Sequence, residues 1–426
     1  MKKMMVLGGY THMIDVVETA KRMGFYTIVV DRDTDSPAKA HADKAFDIST
    51  DEIERLAEIA RAEEVGGVIN AFDDFNTWQA QVLCEKLGLP YYATKEQLAI
   101  CSDKERFKAY CRTYGVPVIE EYGIEDLLSE GTESKIRFPV IVKPVDSYAS
   151  QGISVCYSPE ELKKAYAKAN QRSRSGNAII ERFVDNSHGV EMYYTVKEGN
   201  VILTGVADRY VHKVSEEHPP LPTATVFPSQ HRELFLEKLD EKIRTMIRGM
   251  GIQNGVLFFQ SLFEEGEFFL YEVGFRLSGE KHYQLIEKQT GVNLLEMMLD
   301  FAAGGNLDAY PIEQFDNGYA KFPACNLAVL LNAGEIREVN GLEHILDMPQ
   351  VVSFTGLKGA GDQVEATGNY GQMLGRFNIV CKDPKDFHTV INEINAVLEV
   401  VSTEGADMIA ARYHPRAEKG TPARCH

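Results

Sequence analysis

Residues 255–279 read GVLFFQSLFEEGEFFLYEVGFRLSG, two runs rich in Val, Leu, Phe and Tyr around the polar turn Glu264-Glu265-Gly266. Such a pattern predicts a β-hairpin. A turn near Glu265 and Gly266 brings Gln260 on the first strand roughly opposite Glu272 on the second, so an amide oxygen and a carboxylate can share one cation. Magnesium suits that pair, because it takes oxygen ligands, usually one or two from carboxylates, and completes its octahedron with phosphates and water. Arg276 is expected two alternations past Glu272 on the same face, as a positive charge able to hold a carboxylate or an acyl phosphate by a bidentate contact. Taken alone, Glu272 and Arg276 read equally well as an ordinary surface ion pair. The rest of the chain decides between the two.

The 426 residues are enough for two to four domains, and a hydrophobic fraction of 44% with 25% charged residues is that of an ordinary globular protein. No apolar run is long enough to span a bilayer, and the opening MKKMMVLGG runs directly into a strand-turn-helix pattern, so it is read as part of the fold and not as a signal peptide. Seven scattered cysteines without CxxC spacing argue against a disulfide framework or a zinc site and for a reducing cytoplasm. The net charge of −18 argues against nucleic acid as a partner, since its phosphates demand an excess of Lys and Arg.

Ahead of the hairpin, residues 4–10 predict a buried strand ending at Gly8-Gly9, residues 13–23 a helix, and residues 26–31 a second strand ending in Asp31. Gly8-Gly9 can admit a ligand close to the backbone, but the full GxGxxG is missing, and paired glycines more often make a tight turn. Helices over 52–63 and 75–87, a strand over 67–71 and a short strand over 90–92 complete a small doubly wound sheet. Ser102 or Asp103 caps a further helix, with Lys104 in its first turn, where the helix dipole disfavours a cation and an anion nearby would favour it. The run FPVIVKPV, residues 138–145, is a buried strand interrupted by Lys143, a charge that is costly unless paired, and phosphate is a suitable partner. The following small-residue loop, DSYASQGISV, can cradle phosphate oxygens with its backbone N–H groups, or be a plain solvated hairpin loop. Strands over 178–184 and 189–196 carry Glu181-Arg182-Phe183-Val184, suited to an adenine edge, and Glu191, suited to ribose hydroxyls. A long helix is expected over 233–250, and two more over 279–290 and 293–303. From about residue 321, short strands and turns read as a separate α+β domain.

In this order, Lys104, the PVIVKP strand with Lys143, the loop from Ser147 to Gly152, the IIERFV strand with Glu181 and the later Glu191, and the Gln260–Glu272–Arg276 hairpin resemble the ATP-grasp superfamily over nearly the whole chain. The resemblance is nearest to the carbamoyl phosphate synthetase large chain and to biotin carboxylase-like amino-acid ligases. It implies an α/β and α+β architecture: an N-terminal Rossmann-like domain over 1–112, a mobile lid over 113–195, a central catalytic sheet over 196–320 and a small C-terminal α+β domain over 321–426. It also implies an ATP-dependent carboxylate–amine ligase that forms an acyl phosphate from a small carboxylic or amino acid, which an amine then attacks, chemistry that needs no side-chain nucleophile.

Carried over position by position, Lys104 and Lys143 contact the ATP phosphates while Ser147, Ser150, Gln151 and Gly152 close over them. Glu181, Arg182, Phe183 and Val184 bind adenine, and Glu191 binds ribose. Gln260 and Glu272 hold Mg2+, with Mn2+ as the alternative ion, and Arg276 stabilises the transferring group. A homodimer is implied by the resemblance alone. One departure stands out: the family's Glu-x-Asn-x-Arg is Glu272-Val273-Gly274-Phe275-Arg276 here, which puts a second metal position in doubt. His212, Lys213 and His282 are candidates for the acceptor site, each also readable as solvated surface. Two alternatives stay open: a carboxylating or phosphoribosylamine-using enzyme, and a nucleotide-binding regulator without turnover.

Overall fold

The computed structural model describes residues 1–124, 136–144, 154–173, 176–185, 187–213, 220–318 and 320–415. The loop residues Ser147, Ser150, Gln151 and Gly152 lie outside the described residues.

The chain begins with strands β1 (Lys3–Leu7), β2 (Tyr26–Asp31), β3 (Lys44–Asp47) and β4 (Val65–Ile69), paired in parallel in the order β3-β2-β1-β4. The apolar runs of β1, β2 and β4 are buried because helices α1 (Met13–Arg22), α2 (Ile53–Ala62) and α3 (Asp74–Leu87) connect and cover the sheet, while the edge strand β3 stays largely exposed. Asp73 caps α3 by accepting from the Asn76 N–H at 2.7 Å, and Gly88 ends it in the left-handed region at φ 67°. The strand expected over 90–92 does not form. Tyr92 instead packs its ring edge-on against Phe275, centroids 5.0 Å apart, and donates its hydroxyl to the Phe275 carbonyl at 2.9 Å, which ties this domain to the end of the hairpin. Helix α4 (Lys95–Ser102), which periodicity did not mark, precedes α5 (Lys104–Thr113), and the cap of α5 is Asp103.

A second, four-stranded sheet contains β5 (Glu121–Tyr122), β6 (Val140–Pro144), β7 (Ser154–Cys156) and, after helix α6 (Pro159–Arg172), β8 (Ala178–Arg182), in the order β5-β8-β6-β7. It has its own apolar cluster around Val140, Val142, Leu162 and Ile180.

The largest sheet is nine-stranded and antiparallel. It starts with β9 (His188–Lys197), β10 (Asn200–His212) and β11 (Leu221–Phe227). The expected single helix over 233–250 is two, α7 (Arg232–Lys238) and α8 (Asp240–Gly249), because the backbone leaves helical geometry at Leu239 (φ −132°). The hairpin follows as β12 (Gly255–Glu264) and β13 (Glu267–Gly274), its turn made by Glu265 (φ 50°) and Gly266 (φ 81°), the paired left-handed residues that match strand twist. Helices α9 (His282–Thr290) and α10 (Leu294–Ala302) come next, α10 capped by Asn293.

The part read as a separate C-terminal domain continues this sheet. Strand β14 (Ala324–Leu331) pairs with β11, and beyond it come β16 (Met373–Val380) and β15 (Val351–Gly356), giving the order β13-β12-β9-β10-β11-β14-β16-β15, with the ninth strand, β17 (Ile409–Ala411), also paired with β14. Sequence alone shows β-branched runs and turns but not which edge a strand joins. A distinct apolar cluster under α11 (Pro384–Val397) still gives this part its own core.

Candidate active site

Register places the hairpin residues together. Gln260 pairs with Glu272 across β12–β13 and with Glu191 across β12–β9, so the three side chains form a row on one face of neighbouring strands. A register shift between Gln260 and Ser261 adds Tyr271 to this end of the row. The side chains form a relay: Arg209 donates from Nη1 to the Tyr271 hydroxyl at 3.3 Å, Tyr271 donates to Gln260 Oε1 at 3.1 Å, and Gln260 Nε2 donates to Glu191 Oε1 at 2.8 Å. Glu272 is half-buried at the end of the row. A half-buried carboxylate opposite an amide oxygen is a donor set that fits a hard divalent cation such as magnesium.

Glu191, the residue expected to meet ribose, is buried and hydrogen-bonded on both oxygens. It is 1% exposed, one oxygen accepts from Gln260 and the other from the Tyr193 hydroxyl. Burial, followed by the nearby Glu280 charge, raises its carboxyl above the usual range, while His282 and Arg209 pull it back.

The second sheet meets this row through its own charges. Glu181, 2% exposed, is clamped by two lysines: Lys143 from β6 on one oxygen and Lys108 from α5 on the other. Lys108 also reaches Glu121 at 2.6 Å. Burial works against its charge, but Glu181 and Glu121 outweigh burial and raise its pKa. Lys104, one helical turn earlier, is exposed in the first turn of α5. The buried face of that helix is Phe107, Lys108 and Cys111, so the helical period could have identified Lys108 as the inward lysine. Arg182 donates to Glu264 at 2.8 Å and lies over the Phe269 ring at 4.6 Å. Phe183 is half-buried, its N–H on the Pro139 carbonyl at 3.0 Å. Val184 packs with Ile119 and Leu262 in a small apolar patch bordered by Phe269 and Tyr271. That patch bridges the β8 end and the hairpin, two residues along the strand from Gln260.

Arg276 lies past the end of β13, so it does not continue the strand alternation expected of it. It makes a bidentate pair with Asp74 of α3, 2.7 and 2.8 Å, and its guanidinium sits 5.2 Å from the Phe258 ring centre. The same ring explains Gly274: a Cβ there would lie 2.2 Å from Phe258 Cε1. The space a side chain would use at position 274 is filled by Phe258 from the paired strand.

Beside the row is a buried ionic cluster that sequence reading largely missed. Arg209 Nε lies 3.5 Å from Glu191, Arg376 Nη2 lies 2.9 Å from Glu280 Oε1, and His282 Nε2 lies 3.1 Å from Glu280 Oε2. Tyr193 shares a 2.6 Å hydrogen bond with His282 Nδ1. All five charged or imidazole side chains are within a tenth of full burial, yet Glu280 Oε2, His282 Nε2 and Arg376 Nη2 have no hydrogen bond in proper geometry among the described residues. Burial opposes ionisation of Glu280, but Arg376, His282 and Arg209 more than offset it and hold its carboxyl well below the usual range. The N-terminal domain closes over this cluster: Lys281 pairs with Asp15 at 3.0 Å, and burial together with Lys281 and Arg376 pushes His12 down to about 4. Of the acceptor candidates, His282 is in the cluster, whereas His212 and Lys213 lie at the far end of β10. The signal available for Arg209 and Arg376 was the one that singled out Lys143, a charge within an apolar strand run.

Residues 103–310 match the family described as "Carbamoyl-phosphate synthase L chain, ATP binding domain". The formate-dependent phosphoribosylglycinamide formyltransferase of Methanocaldococcus jannaschii is 28% identical over 194 residues, 45% of this chain and 50% of that one. The chain thus spans about half the length of the curated relatives it matches. Among solved structures, phosphoribosylglycinamide synthetase from Anaerococcus prevotii superposes with a TM-score of 0.75 at 16% identity, covering 94% of this chain and 100% of that one. L-amino acid ligase from Bacillus licheniformis gives 0.73 at 17%, covering 95% and 99%. These likenesses fix the fold.

Proposed function

We propose that this chain is an ATP-grasp, ATP-dependent ligase, a reading supported by the match of residues 103–310 to the carbamoyl-phosphate synthase L chain ATP binding domain family and by the fold shared with phosphoribosylglycinamide synthetase and L-amino acid ligase. It activates the carboxylate of a small carboxylic or amino acid as an acyl phosphate and passes the acyl group to an amine, releasing ADP and phosphate. The observation that carries this reading is the row Glu191–Gln260–Glu272, found in the same molecule as the lysine-clamped Glu181 and the buried cluster around Glu280.

The base takes the apolar patch of Ile119, Val184 and Leu262, with the main chain of 181–184 along its edge. Lys143, 32% exposed, exchanges Glu181 for a phosphate oxygen, a swap between two anions of similar demand. Lys104 and the loop over 147–152 are assigned to the outer phosphates. Gln260 and Glu272 hold Mg2+ or Mn2+, and the ion when bound neutralises phosphate charge. Arg276, oriented by Asp74, is assigned to the transferring phosphoryl group. The unsatisfied Arg376 and Glu280 atoms offer one positive and one negative contact in a water-poor setting, which suits a zwitterionic amino acid: carboxylate to guanidinium, ammonium to carboxylate. Phosphoryl transfer of this kind is positioning and charge stabilisation, and needs no side-chain nucleophile. We assign a homodimer as the assembly. Nucleic acid is left out because of the net charge of −18, and among the described residues no helix is long and apolar enough to cross a membrane.

The test is ADP and phosphate release by the full chain with ATP, Mg2+ and a panel of amino acids, each with and without an amine. Release stimulated by a particular acid and amine is expected. ATP binding without turnover under every combination overturns the ligase and leaves a nucleotide-binding regulator.

A further inference from the structure

The face of the central sheet turned away from Glu191 and Gln260 carries a second constellation. Strand alternation separates His188 from Gly189 and Glu191, and the β9–β10 register pairs His188 with Tyr210 and Asp208 with Val190. His188 and Asp208 are therefore neighbours on the back of the sheet. After β11 the chain turns through Ser229 and Gln230, and His231 arrives at the start of α7 against the same spot. One ligand atom from each of His188, Asp208 and His231 lies within 4.8 Å of the others, and the two imidazole centres are 5.1 Å apart.

Three features mark this as more than packing. The Asp208 carboxylate is fixed from behind, accepting from the Ser229 hydroxyl at 2.5 Å and from the Gln230 N–H at 3.0 Å, the kind of support that orients a metal ligand. The imidazoles are held by ring contacts, His188 stacked on Tyr210 at 5.3 Å and His231 against Phe263 at 3.9 Å. His188 Nε2 is buried without a hydrogen bond to any described residue, 3.5 Å from Asp208 Oδ1, a cost that a bound cation removes. That spacing is close to the edge, about 3.4 Å, of a tetrahedron built on typical zinc–nitrogen and zinc–oxygen bonds.

We propose that His188, Asp208 and His231 bind a divalent transition metal of the zinc class, separate from the magnesium pair at Gln260 and Glu272. Two imidazole nitrogens and one carboxylate select zinc-like ions over magnesium, which prefers oxygen alone. The ion joins β9 and β10, whose front face carries Glu191 and Arg209, to the start of α7.

The experiment uses the full chain stripped with a chelator and titrated with Zn2+ without nucleotide, by calorimetry and thermal unfolding, and with Co2+ by visible absorption. His188→Gln and His231→Gln test the site, and Glu272→Gln controls for the front face. Expected are Zn2+ binding that raises the unfolding temperature, a Co2+ spectrum of nitrogen-rich coordination, and at least tenfold weaker binding in either histidine variant with Glu272→Gln unchanged. Unfolding of the metal-free variants at the wild-type temperature shows that each still folds. If a variant does not fold, the Co2+ spectrum of the wild-type chain decides. Zn2+ binding equal in wild type and both histidine variants, binding lost only in Glu272→Gln, no binding by the wild type, or a Co2+ spectrum of oxygen ligands alone overturns the proposal.

Discussion

Two regions of this molecule look suited to a nucleotide, and they differ in what their polar groups already do. In the N-terminal sheet, the Gly8-Gly9 turn after β1 has the outline of a phosphate-binding loop. Its donors are spent: the Gly9 N–H bonds Asp31 Oδ2 at 2.6 Å and the Gly8 N–H bonds the Val30 carbonyl at 2.9 Å. A Cβ on Gly9 would lie 2.1 Å from Ser36 Oγ, so the turn is closed by its own chain. In the central sheet the Glu272 carboxylate stands opposite the Gln260 amide, and Lys143 nearby is paired with Glu181, an anion that another anion can replace. A binding site is identified by groups whose bonds are exchangeable, and less by the outline of a loop.

The largest expected effect breaks or keeps this contrast directly. Glu272→Ala is predicted to lower ATP-dependent turnover about 100-fold or more, and Lys143→Ala to weaken ATP binding on the order of tenfold to 100-fold, as for loss of a charge contact in a preorganised site. Asp31→Asn should leave both quantities within about twofold, since its effect stays inside the N-terminal turn. Nucleotide titration and steady-state rates on the three variants measure this. A loss of ATP affinity in Asp31→Asn, with Lys143→Ala unaffected, reverses the assignment of the two regions.

What could be read from the sequence follows from how local each signal is. The hairpin, its turn at Glu265-Gly266 and the Gln260–Glu272 register were legible because side-chain alternation and turn chemistry act over a few residues. The Asp103 cap was legible for the same reason. Arg276 was placed on the strand, yet the backbone leaves β13 at Gly274 and a partner 202 residues away, Asp74, decides where its guanidinium goes. The burial of Glu191 was not legible, because it comes from strand register with Gln260 and contact with Tyr193. Glu280, in the loop after β13, and Arg376, on an interior strand of the sheet, meet in a contact that no local pattern announces.

A second pair of substitutions sharpens the comparison at the glycines. Gly9→Ala forces a methyl into Ser36 and should cost about 1–3 kcal/mol of stability by overpacking, with ATP binding unchanged. Gly274→Ala meets the Phe258 ring, which supports the Arg276 guanidinium, so it should lower turnover roughly tenfold as that arginine shifts. Trimming the ring in Phe258→Leu together with Gly274→Ala should restore part of the rate. Denaturant unfolding and turnover, measured together, separate the two glycines; equal loss of rate in both would erase the distinction between a closed turn and a working site.

The smallest effect concerns how the N-terminal domain sits on the ionic cluster. His12 is buried against Lys281 and Arg376, with only Asp15 acting to raise its pKa, so its imidazole falls from 6.5 in the unfolded chain to about 4. The folded state thus binds this proton less readily than the unfolded state. Stability from the neutral ring is complete above pH 6.5 and declines as the pH falls toward 4, because the unfolded chain takes up the proton first. Between pH 7 and pH 6 the loss should be on the order of 1 kcal/mol or less. Glu191, whose carboxyl is raised by burial, acts in the opposite direction, so only the difference between wild type and His12→Gln isolates the effect. Urea unfolding of both proteins at the two pH values should show the wild type losing more stability than the variant. Parallel losses would mean that His12 is as accessible to protons in the folded chain as in the unfolded one, and that the N-terminal domain does not close over Arg376.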